Sequence, residues 1–363
     1  MLTLIFGISL QTVFAFLIST VLFDVFHFFS HACLKSKIGF FRWIGLLHLT
    51  HHRFYSSSLQ INKKIIKKNF FHHMLVEYMF HISGILVCAL FLNFLSILLA
   101  MLLETIVFIS VCFSRGIDLH HRPYERLPSY RSGLWVSAAY HALHHIHPTG
   151  YFSSYITLFD RIFGTAHHFY KKNITMTGAS GALGSHMKRL LEKEGAIVTT
   201  LKYGIDYDYH HYDGLKKCLS ETDILFLCHG SKYEDAQQAN CDSFVKIIEL
   251  FKAVKPRQLA PAEIWAVGSE IECHPCFGIK KLKVYAASKR NYARYARQFY
   301  RDRDIQYRHL VHSAFTSRMG PGLMSANFAA KMSLFMIKRG FRYIPVTYTG
   351  FAWLNYFRFI ANF

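Results

Sequence analysis

The sequence predicts an α-helical, histidine-rich membrane domain followed by an α/β domain of the Rossmann type. Three observations carry this. Uncharged apolar runs fill residues 2–23 and nearly all of 78–113. Sixteen of the 23 histidines precede residue 169, and they recur at spacings of three and four. A glycine-rich turn, Thr177-Gly-Ala-Ser-Gly-Ala-Leu-Gly184, separates a strand-like segment from a helix-like one. A chain of 363 residues allows two or three domains.

The run at 2–23 is long enough to cross a bilayer. It continues without a break into Asp24, His27 and His31, so cleavage as a signal peptide would destroy the first histidine group; it reads as a retained helix. Residues 35–68 hold eight Lys or Arg and no Asp or Glu, which places that loop on the cytoplasmic side. Lys63, Lys64, Lys67 and Lys68 are expected along anionic headgroups. Tyr78–Phe113 is apolar apart from His81 and Glu104, and its 36 residues suit a tight pair of short spans. A multi-pass protein follows, with every histidine group on the cytoplasmic face. The formal charge of +20 is assigned to lipid headgroups rather than nucleic acid, because the composition is 52% apolar. Eight scattered cysteines show no secreted framework and fit a reducing compartment.

Offsets of three and four residues stack side chains on one helical face. His27 and His31 are four apart; His48, His51 and His52 form a second group; His141, His144 and His145 form a third. Three imidazoles on one face are a ready metal-binding surface. The pattern His-x3-His, His-x2-His-His and again His-x2-His-His, followed by a tyrosine-rich segment and Asp160-Arg-Ile-Phe-Gly-Thr165, resembles the fatty acid hydroxylase/sterol desaturase superfamily over roughly residues 20–168. That resemblance implies an integral membrane oxygenase with a histidine-ligated di-iron centre, acting on a lipid. It adds a further ligand between the second and third groups, His120 or His121, of which His121 is taken here; Arg122-Pro123 replaces the asparagine common at that place. Asp24 or Asp118 is expected to orient a ligand through its second ring nitrogen. His72, His73 and Glu77 either line the site or anchor the interface. The first domain is drawn as 1–168.

A second domain is drawn as 171–325. Asn173–Thr177 reads as a strand, the glycine turn follows, then a helix to about Glu194 and a strand at Ala196–Leu201. This is the context a dinucleotide fingerprint needs. Thr177, Gly178, Ser180, Gly181 and Gly184 are the predicted pyrophosphate contacts, with the helix N-terminus behind them. Lys202 favours the 2′-phosphate of NADP over NAD, and Asp206 is a candidate adenine contact. Tyr285-Ala-Ala-Ser-Lys289 places an ammonium one helical turn from a phenol and is expected to lower its pKa. With Asn240 and Ser269, this half resembles the short-chain dehydrogenase/reductase family over about 172–320. By that resemblance Ser269 orients substrate, Tyr285 is the acid/base, Lys289 also holds the ribose, and Asn240 supports a proton relay. Leu227-Cys228-His229-Gly230 stands where the family has Asn-Asn-Ala-Gly. Cys273-His-Pro-Cys276 has no second cysteine pair to complete a zinc site and reads as coincidence. Residues 326–363 are expected either to lie on the membrane surface or to close the nucleotide domain.

The expected function is a bifunctional oxidoreductase: an oxygen-dependent lipid hydroxylase or desaturase fused to an NAD(P)-dependent hydroxyl/carbonyl oxidoreductase. Iron needs single electrons, whereas nicotinamide delivers a hydride. A separate ferredoxin- or cytochrome-type donor is therefore expected. The alternative is a membrane-anchored nucleotide sensor or partner-binding protein whose histidines bind metal without turnover.

Overall fold

The computed structural model describes residues 2–127, 130, 133–255, 260–276 and 280–361. It divides into two compact units, Met1–Ala166 and His167–Phe363.

The first unit is helical. α1 (Leu2–Cys33) carries the N-terminal apolar run, and α2 (Gly39–Phe54) carries the second histidine group. Asn62 accepts a hydrogen bond from Lys64 N and starts a helical stretch. That stretch comprises a 3₁₀ turn, α3 (Ile66–Asn69), a π-helical turn at Phe70–Met74 and α4 (Leu75–Cys88). α5 (Phe94–Phe113) starts where the Asn93 side chain accepts from Leu95 N. α1, the stretch Lys63–Cys88 and α5 are each long and apolar enough to cross a membrane. The pair predicted inside 78–113 is therefore drawn differently: its first member begins 15 residues earlier, at the asparagine cap, and absorbs the lysine run. Gly84 lets α4 approach α1, because a Cβ there would lie 2.9 Å from Ser19 Cα. Ala15, Ile85, Cys88, Ile97 and Ala100 are buried among these helices, while Leu98, Leu102, Ile106 and Ile109 point outward. α6 (Ala138–Ile146) and α7 (Leu158–Phe163) complete the unit.

The second unit is a six-stranded, all-parallel sheet in the order β2-β1-β3-β4-β5-β6. The elements alternate along the chain as β1 (Asn173–Thr177), α8 (Ala182–Lys193), β2 (Ile197–Leu201), α9 (Leu215–Ser220), β3 (Ile224–Leu227), α10 (Ser243–Val254), β4 (Ala262–Val267), α11 (Lys280–Arg301), β5 (Ile305–His312), α12 (Ala326–Lys338), β6 (Tyr343–Val346) and α13 (Phe351–Ala361). Alternation makes the sheet parallel, and helices then cover both faces. β3 and β5 are accordingly buried along their whole length. Leu225 and Leu227 enter one core with Phe244 and Phe251; Ile224 and Phe226 enter the other with Trp265 and Met187. The order reverses between β1 and β3, and the crevice at the carboxyl ends of those strands is where such sheets bind ligands. Segment 326–363 forms α12, β6 and α13, with β6 paired to β5 from His309↔Tyr343 to His312↔Val346. The boundary drawn at 325 therefore cuts through a sheet that continues to β6.

Candidate functional sites

α1, α2, α6 and the segment after α5 that carries His121 bring the histidines together in two sets. One holds His27, His31, His48, His52 and His144; the other holds His51, His121, His141 and His145. Within each set the ligand atoms lie within 4.8 Å of one another. The i,i+4 pairs separate by set: His48 and His52 face the first, His141 and His145 the second, while His51 and His144 cross over to the opposite set. His120, the other candidate, belongs to neither set; its ring lies 5.9 Å from that of His141.

The second ring nitrogens decide what these sets can hold. The Nδ1–H of His27 donates to the Phe152 carbonyl (2.9 Å) and that of His144 to the Gly150 carbonyl (2.8 Å). In the other set, His51 Nδ1–H donates to Asn69 Oδ1 (3.3 Å) and His121 Nδ1–H to Asp118 (3.0 Å). A neutral imidazole has one N–H, so each of these four presents a bare lone pair on Nε2. Yet His27 Nε2 and His144 Nε2 are 3.0 Å apart, and His51 Nε2 and His121 Nε2 are 3.1 Å apart. Two facing lone pairs repel; a cation between them turns the contact attractive. Metal–nitrogen bonds of about 2.1 Å at right angles put ligand nitrogens about 3 Å apart, so the spacing fits a metal. Burial, followed by the neighbouring histidines, holds His48, His51, His52, His141 and His145 well below the usual imidazole range. Burial pushes His144 down to about 4. These six are thereby held towards the neutral form that ligation requires; His121 is the exception, its burial being outweighed by Asp118, which raises it above the usual imidazole range.

Asp118 orients His121, as one of the two predicted alternatives. Asp24 does not orient a histidine: it accepts from Ser154 N (2.9 Å) and Ser154 Oγ (2.6 Å). His73 stacks on His51 with ring centroids 3.6 Å apart, and His72 meets Thr50 Oγ1 at 3.1 Å. Sequence reasoning missed Asn69 and the two carbonyls, since a backbone acceptor leaves no residue signature. It also missed how Asp160 holds those carbonyls. The buried Asp160 carboxylate accepts from Phe152 N (2.9 Å), Ser153 N (2.7 Å), Tyr140 Oη (2.7 Å) and the Thr165 hydroxyl. It thereby fixes the loop whose carbonyls set the tautomers of His27 and His144. Asp160→Ala leaves four donors unpaired and is expected to cost about 3–5 kcal/mol. A lowered thermal midpoint together with reduced metal per chain checks this; a lowered midpoint with full metal content would refute the positioning role.

In the second unit the glycine turn has the required form. Gly178 has φ +68°, and a Cβ there would lie 2.6 Å from the Cys228 carbonyl carbon. A Cβ on Gly184 would lie 2.1 Å from Gly178 O. Gly181 caps α8, Ser180 is exposed on the turn, and Thr177 Oγ1 meets His229 Nδ1 at 2.6 Å. This cradle fits a pyrophosphate against a helix N-terminus. At the end of β2 the Lys202 amide donates to Asp206 Oδ2 (2.7 Å). The acid that looked remote in sequence thus stands beside Lys202.

The four predicted catalytic positions are each held by a hydrogen bond of their own neighbourhood. Lys289 Nζ donates to the Val267 carbonyl at the end of β4 (2.8 Å), two residues before Ser269. Ser269 caps the turn Glu270–Glu272 in a reciprocal box with Glu272. Asn240, on a π-helical turn, donates to Ser288 Oγ (2.9 Å) and to Ser231 O (2.6 Å). Ser288 in turn donates to the Tyr285 carbonyl (2.8 Å). Burial raises the Tyr285 phenol, opposed by a hydrogen bond from Ser269. Burial also pushes Lys289 down to about 8. The expected lowering of Tyr285 by Lys289 is thus reversed, because the ammonium is turned to a backbone carbonyl and burial dominates. Beneath Ser269 lies an unforeseen buried pair, Glu272–His309 at 2.7 Å. Cys273 and Cys276 are free and join neither metal-capable set among the described residues.

These geometries can be set beside known proteins. No family model matches the chain. The monoglucosyldiacylglycerol epimerase of Synechocystis sp. (strain ATCC 27184 / PCC 6803 / Kazusa) is 29% identical over 297 residues, covering 70% of this chain and 71% of that protein. Among solved structures, a short chain dehydrogenase from Burkholderia cenocepacia J2315 in complex with NADP is 13% identical, with a TM-score of 0.42 over 54% of this chain and 96% of that one. A short-chain dehydrogenase from Sphingobium yanoikuyae in complex with NADPH is 14% identical, with a TM-score of 0.39 over 48% and 87%.

Proposed function

We propose that this chain is a membrane lipid oxidoreductase with two sites: a histidine-ligated di-iron centre in the first unit and an NAD(P)-dependent hydroxyl/carbonyl site in the second. The observation that carries the first half is the pair of facing Nε2 lone pairs in each histidine set, whose Nδ1 protons are already committed elsewhere. His27, His31, His48, His52 and His144 would hold one ion, and His51, His121, His141 and His145 the other. Imidazole suits iron, which would supply oxygen-dependent oxidation of an unactivated C–H bond. Asp160, Asp118, Asn69 and the two carbonyls orient the ligands; the three apolar helices present a lipid. Iron takes electrons singly whereas nicotinamide delivers a hydride, so a ferredoxin- or cytochrome-type donor would supply the electrons.

In the second unit Gly178, Gly181 and Gly184 admit the nucleotide, and nicotinamide would exchange the hydride. Tyr285 Oη exchanges the proton with the substrate oxygen, Ser269 orients that oxygen, and Lys289 holds the ribose beside it. A second reading of this unit rests on the epimerase relative. Its 70% coverage is about 254 of 363 residues, more than the 197 of the second unit (363 − 166), so the similarity runs into the first. In that reading the substrate is a sugar headgroup on diacylglycerol, and one hydroxyl carbon loses a hydride and regains it on the opposite face.

Lipid mass spectrometry of a deletion strain separates the readings. Hydroxylation changes lipid mass by one oxygen and desaturation by two hydrogens; epimerisation shifts chromatographic retention at constant mass. An unchanged lipid profile would overturn both. The topology follows from the basic loop at 35–68, which is expected on the cytoplasmic face with the second unit. Tags near Lys63 and at the C-terminus should both resist labelling from outside intact cells; labelling of either would reverse the orientation.

A further inference from the structure

α13 closes the second unit with one face only. Ala352 and Phe359 enter the core, and the Phe359 ring meets that of Tyr300 on α11 edge-on at 5.3 Å. Trp353, Leu354, Phe357 and Ile360 fall within one arc on the opposite side of the helix. All four are exposed, Leu354 by 69% and Phe357 by 71%. A helix that is apolar all round is normally covered all round. At 11 residues α13 is too short to cross a bilayer, which takes about 20.

Beside that arc runs a row of positive charge. Arg290, Arg294, Arg297 and Arg301 follow one another at intervals of four, three and four along α11, so they share one face. Arg301 Nη2 donates to the Ile360 carbonyl near the end of α13 (2.9 Å), which joins the row to the arc. Exposed Arg358 adds a charge from α13 itself. Neither helix contains an Asp or Glu, and Asp302, the acid that follows Arg301, is paired with Lys252 (2.8 Å). Burial, then Arg358 and Arg301, hold Arg297 below the usual guanidinium range. The row is thus crowded with like charge that an anion would relieve.

We propose that this face of α13, with the arginine row of α11, is a docking surface for an anionic phospholipid bilayer. The apolar side chains enter the acyl boundary, and the guanidinium groups meet headgroup phosphates. Tryptophan beside arginine is the composition that bilayer interfaces favour. Phosphates supply the negative charge absent from both helices. A second copy of this chain would cover the apolar arc but bring the same arginines to the contact, since a two-fold interface sets a patch against itself. The start of α13 is also bonded to the second site. Glu270, the residue after Ser269, accepts from Thr349 Oγ1 (2.6 Å) and Ala352 N (3.3 Å), so docking would tether that site to the bilayer surface.

The test uses the full chain in nanodiscs of dibrominated phosphatidylcholine, with or without phosphatidylglycerol, carrying Trp43→Phe and Trp135→Phe. Of the two tryptophans that remain, Trp265 is fully buried, so bromine reports on Trp353. Its emission is expected to be quenched in the phosphatidylglycerol discs. Each arginine near an anionic surface favours the docked state about fivefold. Arg294→Gln, Arg297→Gln and Arg301→Gln together should therefore weaken docking about a hundredfold and restore the emission. Raised salt should act in the same direction. Leu354→Gln combined with Phe357→Gln changes only outward side chains and should also restore it. No quenching, or equal quenching with and without phosphatidylglycerol, would overturn the proposal. Shielding of Trp353 confined to discs that hold two chains would overturn it as well and assign the face to a second copy.

Discussion

His144→Ala and His141→Ala are expected to lower iron from two per chain to one or fewer, and each to abolish oxygen uptake. His144 Nε2 lies 3.0 Å from His27 Nε2 and 3.2 Å from His52 Nε2, so alanine opens the five-histidine set. His141 Nε2 lies 3.0 Å from His121 Nε2 and 3.1 Å from His145 Nε2, so alanine opens the other. Changing a residue that only orients a ligand typically costs 10–100-fold in metal affinity, and losing the ligand itself costs at least that. Because each set keeps its own carbonyl or side-chain supports, one ion should survive the loss of the other. Exposed His210, in the second unit, is the control: His210→Ala should leave iron unchanged. Metal analysis and the melting transition of all three variants check this. Equal losses in all three would report unfolding, and full iron in the His144 variant would remove His144 from the ligand set.

The legible parts of this chain were those written in side-chain type and spacing. The apolar runs located α1 and α5, the three-and-four spacings located eight of the nine histidines of the two sets, His121 having entered only through the family resemblance, and the glycine turn located the crevice. What was hidden depends on groups without a residue signature, or on partners distant in sequence. The carbonyls of Gly150 and Phe152 set two tautomers, and any residue could supply them. Asp24 looked like a ligand support because it sits three residues from His27, but its partner is Ser154, 130 residues away. Glu104 looked like a lone acid in a span until α4 brought His81 to it. The start of the second span was misplaced because a lysine run outweighs apolar periodicity in composition, while the Asn62 cap decides where the helix begins. Of the two readings kept for residues 326–363, β6 decides for closing the nucleotide domain, because it pairs with β5 and is fully buried in the sheet.

Tyr285→Phe is expected to reduce hydride transfer in the second unit by about a hundred- to ten-thousand-fold, the usual contribution of a general acid/base. The substitution keeps the ring and its packing and removes only the hydroxyl. Lys289 stays tied to Val267 O, Asn240 to Ser288, and Ser269 to its turn, since none of these bonds uses the phenol oxygen. The cradle of Gly178, Gly181 and Gly184 is untouched, so nucleotide affinity should remain within about threefold of wild type, less than 1 kcal/mol. Titration of NADH and NADPH fluorescence in the purified full chain measures that half, and single-turnover reduction of a carbonyl lipid measures the other. In cells the two readings of the second unit then diverge. If it acts on the product of the histidine site, Tyr285→Phe should accumulate an alcohol or carbonyl lipid, and His144→Ala should prevent that accumulation. If it inverts a sugar hydroxyl, Tyr285→Phe should accumulate the unepimerised glycolipid, unchanged in mass. A variant with wild-type lipids and wild-type hydride transfer would show that Tyr285 carries no proton, whereas no hydride transfer in either chain would leave the second unit a nucleotide-binding domain without turnover.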